Sequence, residues 1–233
     1  MTTETIDLVA PANAPSDARW YGFYTAVVTD VQDPDGQGRV KVRLPWSPDA
    51  GGSRYEAWAR LATTMAGNNR GTWFVPDPED EVLVGFGGGH PDHPYVVGGL
   101  WNGQDATPQS MDGDNNVRAI VSREDIRITM DDTQGAVQLV LSTPGGRTVT
   151  LDDAGTKITV DDGNGNTLEM ASAGITVTAS AKVTVNASTV KVSAGMVTVD
   201  AGMSKFSGVV KCDTLITNSV VSSSYTPGAG NVW

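Results

Sequence analysis

Few side chains in this sequence could bind a metal or attack a substrate. The two histidines stand together in His90-Pro91-Asp92-His93, and the one cysteine, Cys212, lies far along the chain. A structural zinc site takes about four ligands, so this pair is at most a half-site. Pro and Asp beside the histidines read instead as a turn. Asp162-Gly163-Asn164-Gly165-Asn166, with Glu169 nearby, echoes a calcium loop. Its last carboxylate comes too early for an EF-hand, and the run does not follow the repeat of a calcium-binding β-roll. Asp and Asn beside Gly are also what a tight reversal needs. Gly85–Gly89 (GFGGG) lacks the Lys-Ser/Thr and the helix pattern of a phosphate loop. Arg39, Lys41 and Arg43 share one side of a strand, but a nucleic-acid stripe wants aromatic neighbours and basic surroundings. Residues 1–101 hold 13 Asp and Glu against 7 Lys and Arg, so that strand side reads as solvated or facing a subunit. Asp131/Asp132 and Asp152/Asp153 could be paired carboxylates acting on a polysaccharide. Adjacent residues at a strand end point apart, however, and no Ser/His or Cys/His motif is recognisable. The expectation is no catalytic residue, no metal and no cofactor.

Composition narrows the class further. The 233 residues carry a formal net charge of −11, the wrong sign for neutralising phosphates or docking on an anionic membrane. One cysteine permits no disulfide within the chain and is compatible with a reducing compartment. The start, MTTETIDLVAPANAPSDAR, has neither a basic n-region nor a long apolar run. The expectation is therefore synthesis in the cytoplasm without a signal peptide.

The elements that must position any site fall into two kinds. Twelve of the fifteen aromatic residues lie at or before Trp101, and none lies between Trp101 and Phe206. Residues 1–19, rich in Ala and Pro, read as a flexible arm. Residues 20–101 read as five or six short strands, among them Trp20–Val31, Arg39–Leu44, Val82–Phe86 and Tyr95–Leu100. Tyr55–Leu61 is open between strand and short helix. Closure into a small barrel would remove the exposed edges. Residues 102–116 read as a polar linker.

From 117 to 224 apolar residues alternate in short blocks, beginning Ile126/Ile128/Met130 and running to Val209 and Leu215. Turn signals separate the blocks, and the apolar parity flips more than once, between 130 and 137 for example. The reading is a strand–corner repeat, a β-solenoid. Its inward groups are Val, Ile, Leu, Ala and Met, too small to fill a coil built from one chain. One strand from each of three chains would enclose a slim prism, an intertwined trimeric β-helix. With ~4.8 Å per strand, eleven strands make a rod of roughly 50 Å. Val183, Val185, Val190, Val192, Val197 and Val199 should form its trimer core. The overall expectation is an all-β chain, a barrel followed by a needle.

At this point the residues resemble a known family. WYGFYTAVVTDVQDPDGQGRVKVRLPW, ARLATTMAGNNRGTWFVPDPEDEVLVGFGGGHPDHPYVVGGLWNG and the tail KFSGVVKCDTLITNSVVSSSYTPGAGNVW are similar to the OB domain and needle of the baseplate-V and VgrG spikes. These belong to contractile phage tails, type VI secretion systems and extracellular injection systems. The resemblance implies an OB-fold barrel, a homotrimer, a hub at the tail-tube end and a needle that punctures the target envelope. Only 19 residues stand where secretion-system members carry a hub domain, so the hub is expected to be a separate protein. No lysozyme domain fits the linker, and no His-x-His iron motif stands near the end. The last segment, Ser222 to Trp233, loses the alternation, and 225–233 read as a tip segment. A separate PAAR-type tip protein is therefore expected to sit on Tyr225, Thr226, Pro227, Asn231, Val232 and Trp233; the alternative is that this tail folds back and caps its own trimer. The competing functions are a β-solenoid enzyme acting on polysaccharide and an OB-fold module binding nucleic acid.

Overall fold

In a computed structural model, the described residues are 19–48, 54–111 and 113–224. Most of the N-terminal arm and all of the proposed tip contacts, Tyr225 to Trp233, lie outside them. The chain divides into two units after Lys182.

The first unit opens with a closed barrel. Its strands are β1 (Phe23–Asp30), β2 (Arg39–Pro48), β3 (Arg54–Leu61), β6 (Glu81–Phe86) and β7 (Pro94–Gly99), closing in the order β1-β2-β3-β7-β6. Tyr55–Leu61 is thus strand. All neighbours pair antiparallel except β3 with β7. Alternation sends Val28 of β1, Val40, Val42 and Leu44 of β2, and Val82 and Val84 of β6 to the interior, where each is fully buried. Each such burial contributes about 1.5–3 kcal/mol. Large rings close one end: Tyr24 stacks on Trp46 at 4.9 Å between centroids, and Trp20 meets Phe86 edge-on at 5.0 Å. A two-residue pair of strands, β4 (Ala66–Gly67) and β5 (Arg70–Gly71), stands between β3 and β6. Trp73 and Phe74 follow it and are three-quarters exposed.

The Asp33–Gly38 turn between β1 and β2 is built on one carboxylate. Asp33 accepts the backbone N–H groups of Asp35, Gln37 and Arg39, and the Arg39 guanidinium at 2.6 Å. Gly38, at φ 72°, holds a conformation that side chains rarely adopt, and a Cβ there would press on the Trp73 ring at 3.1 Å.

Beyond the linker the same unit continues as an antiparallel meander of seven five-residue strands. These are β8 (Val117–Val121), β9 (Arg127–Asp131), β10 (Gln138–Ser142), β11 (Thr148–Asp152), β12 (Lys157–Asp161), β13 (Thr167–Ala171) and β14 (Gly174–Thr178), hydrogen-bonded in chain order. The parity flips therefore mark hairpin turns in this stretch, not corners of a coil. Each hairpin carries a left-handed residue, which a tight reversal requires. Asp125, Gly135, Gly146, Thr156, Gly163 with Gly165, and Gly174 serve in turn.

In the second unit, residues 183–224 have no strand. They keep the alternating sequence but form no ladder within the chain.

Candidate subunit interface

The seven strands of the meander bring the apolar blocks into register. Leu139 stands opposite Met130 and Leu151, and Leu141 opposite Ile128 and Val149. The ladder continues from Leu151 through Ile158 and Met170 to Ile175, and from Val149 through Val160 and Leu168 to Val177. Ile120 heads one row, facing Ile128; Arg118 heads the other, facing Met130. Thirteen of these fourteen positions are apolar, along a strip roughly 30 Å long at ~4.8 Å per strand. Yet the strip is uncovered: Ile128 is 38% exposed, Leu151 40% and Ile175 70%. An apolar patch of this length on a water-facing surface marks an interaction site. The opposite face carries Thr129, Thr150, Thr159 and Thr176, with Lys157 3.9 Å from Glu169. That is the pattern of a sheet with one face for water and one for a partner.

Arg118 is the polar exception among the two rows. Its guanidinium lies 2.6 Å from Asp132, the residue just beyond β9. A charged pair thus stands at the N-terminal end of the apolar strip. The sequence reading missed both β8 and this pair, since an Arg at an apolar position hides the alternation.

The other candidates resolve into structural roles. In Asp162–Asn166, the Asp162 carboxylate accepts the N–H groups of Asn164 and Asn166 and the Asn166 amide at 2.6 Å. Those bonds, the Asn166 side chain foremost, hold its pKa below the ordinary carboxylate value. The loop closes on itself as the β12–β13 hairpin. Asp131 accepts the Thr133 N–H and Asp152 that of Gly155, so these two carboxylates cap turns, while Asp132 is held by Arg118. Arg39 is held by Asp33 and Asp35, and Lys41 lies 2.9 Å from Glu56. Two of the three basic residues of the stripe are thus neutralised in place, unlike a surface prepared for phosphates, while the buried Arg43 Nε has no hydrogen-bond partner among the described residues. Gly87–Gly89 form a 3-10 turn, with the Trp20 N–H bonded to the Gly89 carbonyl. A Cβ on Gly89 would meet Tyr21 and Arg19 at 3.1 and 3.2 Å. His90 contacts the Arg19 guanidinium, and its ring centroid is 5.7 Å from that of His93. Among the described residues no three His, Cys, Asp or Glu cluster as metal ligands.

Val183, Val185, Val190, Val192, Val197 and Val199 are all more than 60% exposed and are not brought together within one chain.

Two stretches of the chain match known domains. Residues 24–101 match the type VI secretion system/phage-baseplate injector OB domain, and residues 138–203 the phage baseplate V C-terminal trimerisation domain. The chain belongs to the phage-baseplate V family. The trimerisation match overlaps the uncovered strip from β10 to β14. It continues past Thr178 into the unpaired segment. Named relatives of this baseplate-V chain include two type VI secretion system spike proteins of Pseudomonas aeruginosa. VgrG1a is 30% identical over 52% of this chain and 21% of its own length, and VgrG4b is 34% identical over 44% and 13%. Spike protein VgrG3 of Vibrio cholerae is 27% identical over 46% and 11%. The chain thus matches about a fifth or less of these relatives' length. Its barrel is the injector OB domain, and among the described residues no helix is long and apolar enough to cross a membrane.

Proposed function

We propose that three copies of this baseplate-V chain form the central spike of a contractile injection machine. The observation that carries this reading is the uncovered apolar strip of β8–β14, which lies largely within the trimerisation match. Three such sheets, each turning its strip inward, would bury all three strips around one axis and leave the Thr-bearing faces in water. No single chain can do this, because an isolated sheet has nothing to lay over its apolar face.

In this reading the barrel docks on a separate hub protein at the tube end. Exposed Trp73 and Phe74 support such a contact, being the residue types that dominate protein interfaces. The needle points to the target envelope and carries a PAAR-type tip protein on residues 225–233. The role is mechanical and non-enzymatic, and the working location is the baseplate of a phage tail or a phage-tail-like particle. The turn-capping of Asp131 and Asp152 speaks against a polysaccharide-acting enzyme. The ion-paired Arg39 and Lys41 speak against a nucleic-acid module.

Sedimentation equilibrium of the purified chain tests the proposal. The expected mass is three times 24.4 kDa, constant on dilution to the micromolar range. A folded monomer at that concentration would overturn the trimer and with it the spike.

A further inference from the structure

Each strand of the meander runs from one edge of the sheet to the other, and three strands carry opposite charges at their two ends. β9 starts at Arg127 and ends at Asp131, and β12 starts at Lys157 and ends at Asp161. β11 follows Arg147 and ends at Asp152, with Asp153 next. The register sorts these ends onto two edges. Gln138 stands opposite both Asp131 and Asp152, and Asp152 opposite Lys157, so one edge reads acidic, acidic, basic down β9, β11 and β12. Ser142 stands opposite both Arg127 and Thr148, and Thr148 opposite Asp161, so the other edge reads basic, basic, acidic. The ends of β10, β13 and β14 are uncharged. Arg118 and Arg123, near the two ends of β8, are taken by Asp132 and Asp77.

The charges at the two ends of one strand cannot meet within the chain, because five strand residues span ~13 Å. Arg127 has a partner of its own, Asp125 at 2.6 Å, whereas Lys157 has only Glu169 at 3.9 Å. Arg147 and Asp153 are exposed, and among the described residues neither has an ion pair. Edges that complement each other on one molecule suit a head-to-tail contact between copies, and such contacts close into rings. Copies in a three-fold ring are related by rotation alone. Each strand therefore keeps its height, and the end of β11 in one copy comes to the start of β11 in the next.

We infer that the two sheet edges are where neighbouring copies meet, with Arg147 and Asp161 of one copy beside Asp153 and Lys157 of the next; this rests on the trimer proposed above. The apolar strip supplies attraction but little sense of height, because its rows repeat similar residues from strand to strand. The edges supply the height. A slide by one strand sets Arg147 against Lys157 in one direction, and Asp161 against Asp152 and Asp153 in the other. Exposed pairs contribute little stability. Their effect here is to penalise the wrong level and the wrong direction around the ring.

Paired cysteines in the full-length chain test this. In a Cys212→Ser background, Arg147→Cys with Asp153→Cys places thiols at opposite ends of β11. A disulfide needs Cα atoms within about 7 Å, so this pair cannot close within one chain. The expected result on oxidation is a covalent trimer on a denaturing, non-reducing gel, collapsing to monomer with reductant. Lys157→Cys with Asp161→Cys repeats the test on β12 and should give the same band. Either cysteine of a pair alone should leave monomers, because like ends do not meet in a head-to-tail ring. Thiols that stay free in both double variants overturn the inference, and so does a covalent dimer from a single-cysteine variant. The charges are tested apart from the contact. Arg147→Asp sets like charges together at all three corners and should lower the melting temperature of the trimer at low salt. Adding Asp153→Arg should recover most of that loss, and no recovery overturns the pairing. Failure of the trimer itself is seen separately, as a monomeric mass of the parent chain by sedimentation.

Discussion

Asp33 shows how much of this protein is settled by single side chains. Its carboxylate, 5% exposed, organises the β1–β2 turn by accepting three backbone N–H groups and the Arg39 guanidinium. The guanidinium first, then the backbone donors, hold its pKa far below the ordinary carboxylate range. A depressed carboxylate stabilises the fold above its unfolded pKa of about 3.9, and that contribution is lost as pH falls toward the folded value. Asp33→Asn should therefore be less stable than the parent to urea at pH 7, with the gap narrowing steadily below about pH 4. Equal stability at both pH values would show that the carboxylate charge does nothing there. The turn itself was legible in Asp33-Pro34-Asp35-Gly36. The role of Arg39 was not: the sequence places it in a basic stripe with Lys41 and Arg43, and only the folded turn brings the carboxylate six residues back onto the guanidinium.

At the scale of elements, the alternation of Ile, Val, Leu and Met made the strands and their apolar face readable from 126 to 178. It could not distinguish a hairpin from a corner, because both reverse the parity. What decides is backbone conformation at Asp125 and Thr156 as much as at the glycines, and a β-branched Thr does not announce a left-handed turn. The two faces yield a paired prediction on β11. Leu151→Asp puts a charge on the apolar strip, where three copies would bury three unpaired carboxylates at one level. Each costs several kcal/mol, so assembly should fail and the chain should aggregate or sediment below trimer mass. Thr150→Asp, one residue earlier on the water-facing side, should assemble with a change within about 1 kcal/mol. If the two variants sediment alike, the strip is not the subunit interface.

For the whole molecule, the balance of charge changes along the sequence after β13. After Glu169 the acidic residues are Asp200 and Asp213, against Lys182, Lys191, Lys205 and Lys211. The sequence then ends in Tyr225 and, eight residues later, Trp233. In the proposed trimer, Tyr225 and Trp233 supply three copies of residue types that anchor protein contacts. Stopping the chain after Ser224 removes the proposed tip contacts and leaves residues 138–203, the trimerisation match, intact. The shortened chain should therefore keep the trimer mass of the full one. It should also lose at least tenfold in affinity for the tip protein encoded with the same machine, measured by pull-down and then by titration calorimetry. Retained affinity would place the tip contact elsewhere on the needle. Absence of binding by either chain would favour a tail that folds back to cap its own trimer. Either result overturns the docking assignment while the sedimentation mass decides the spike independently.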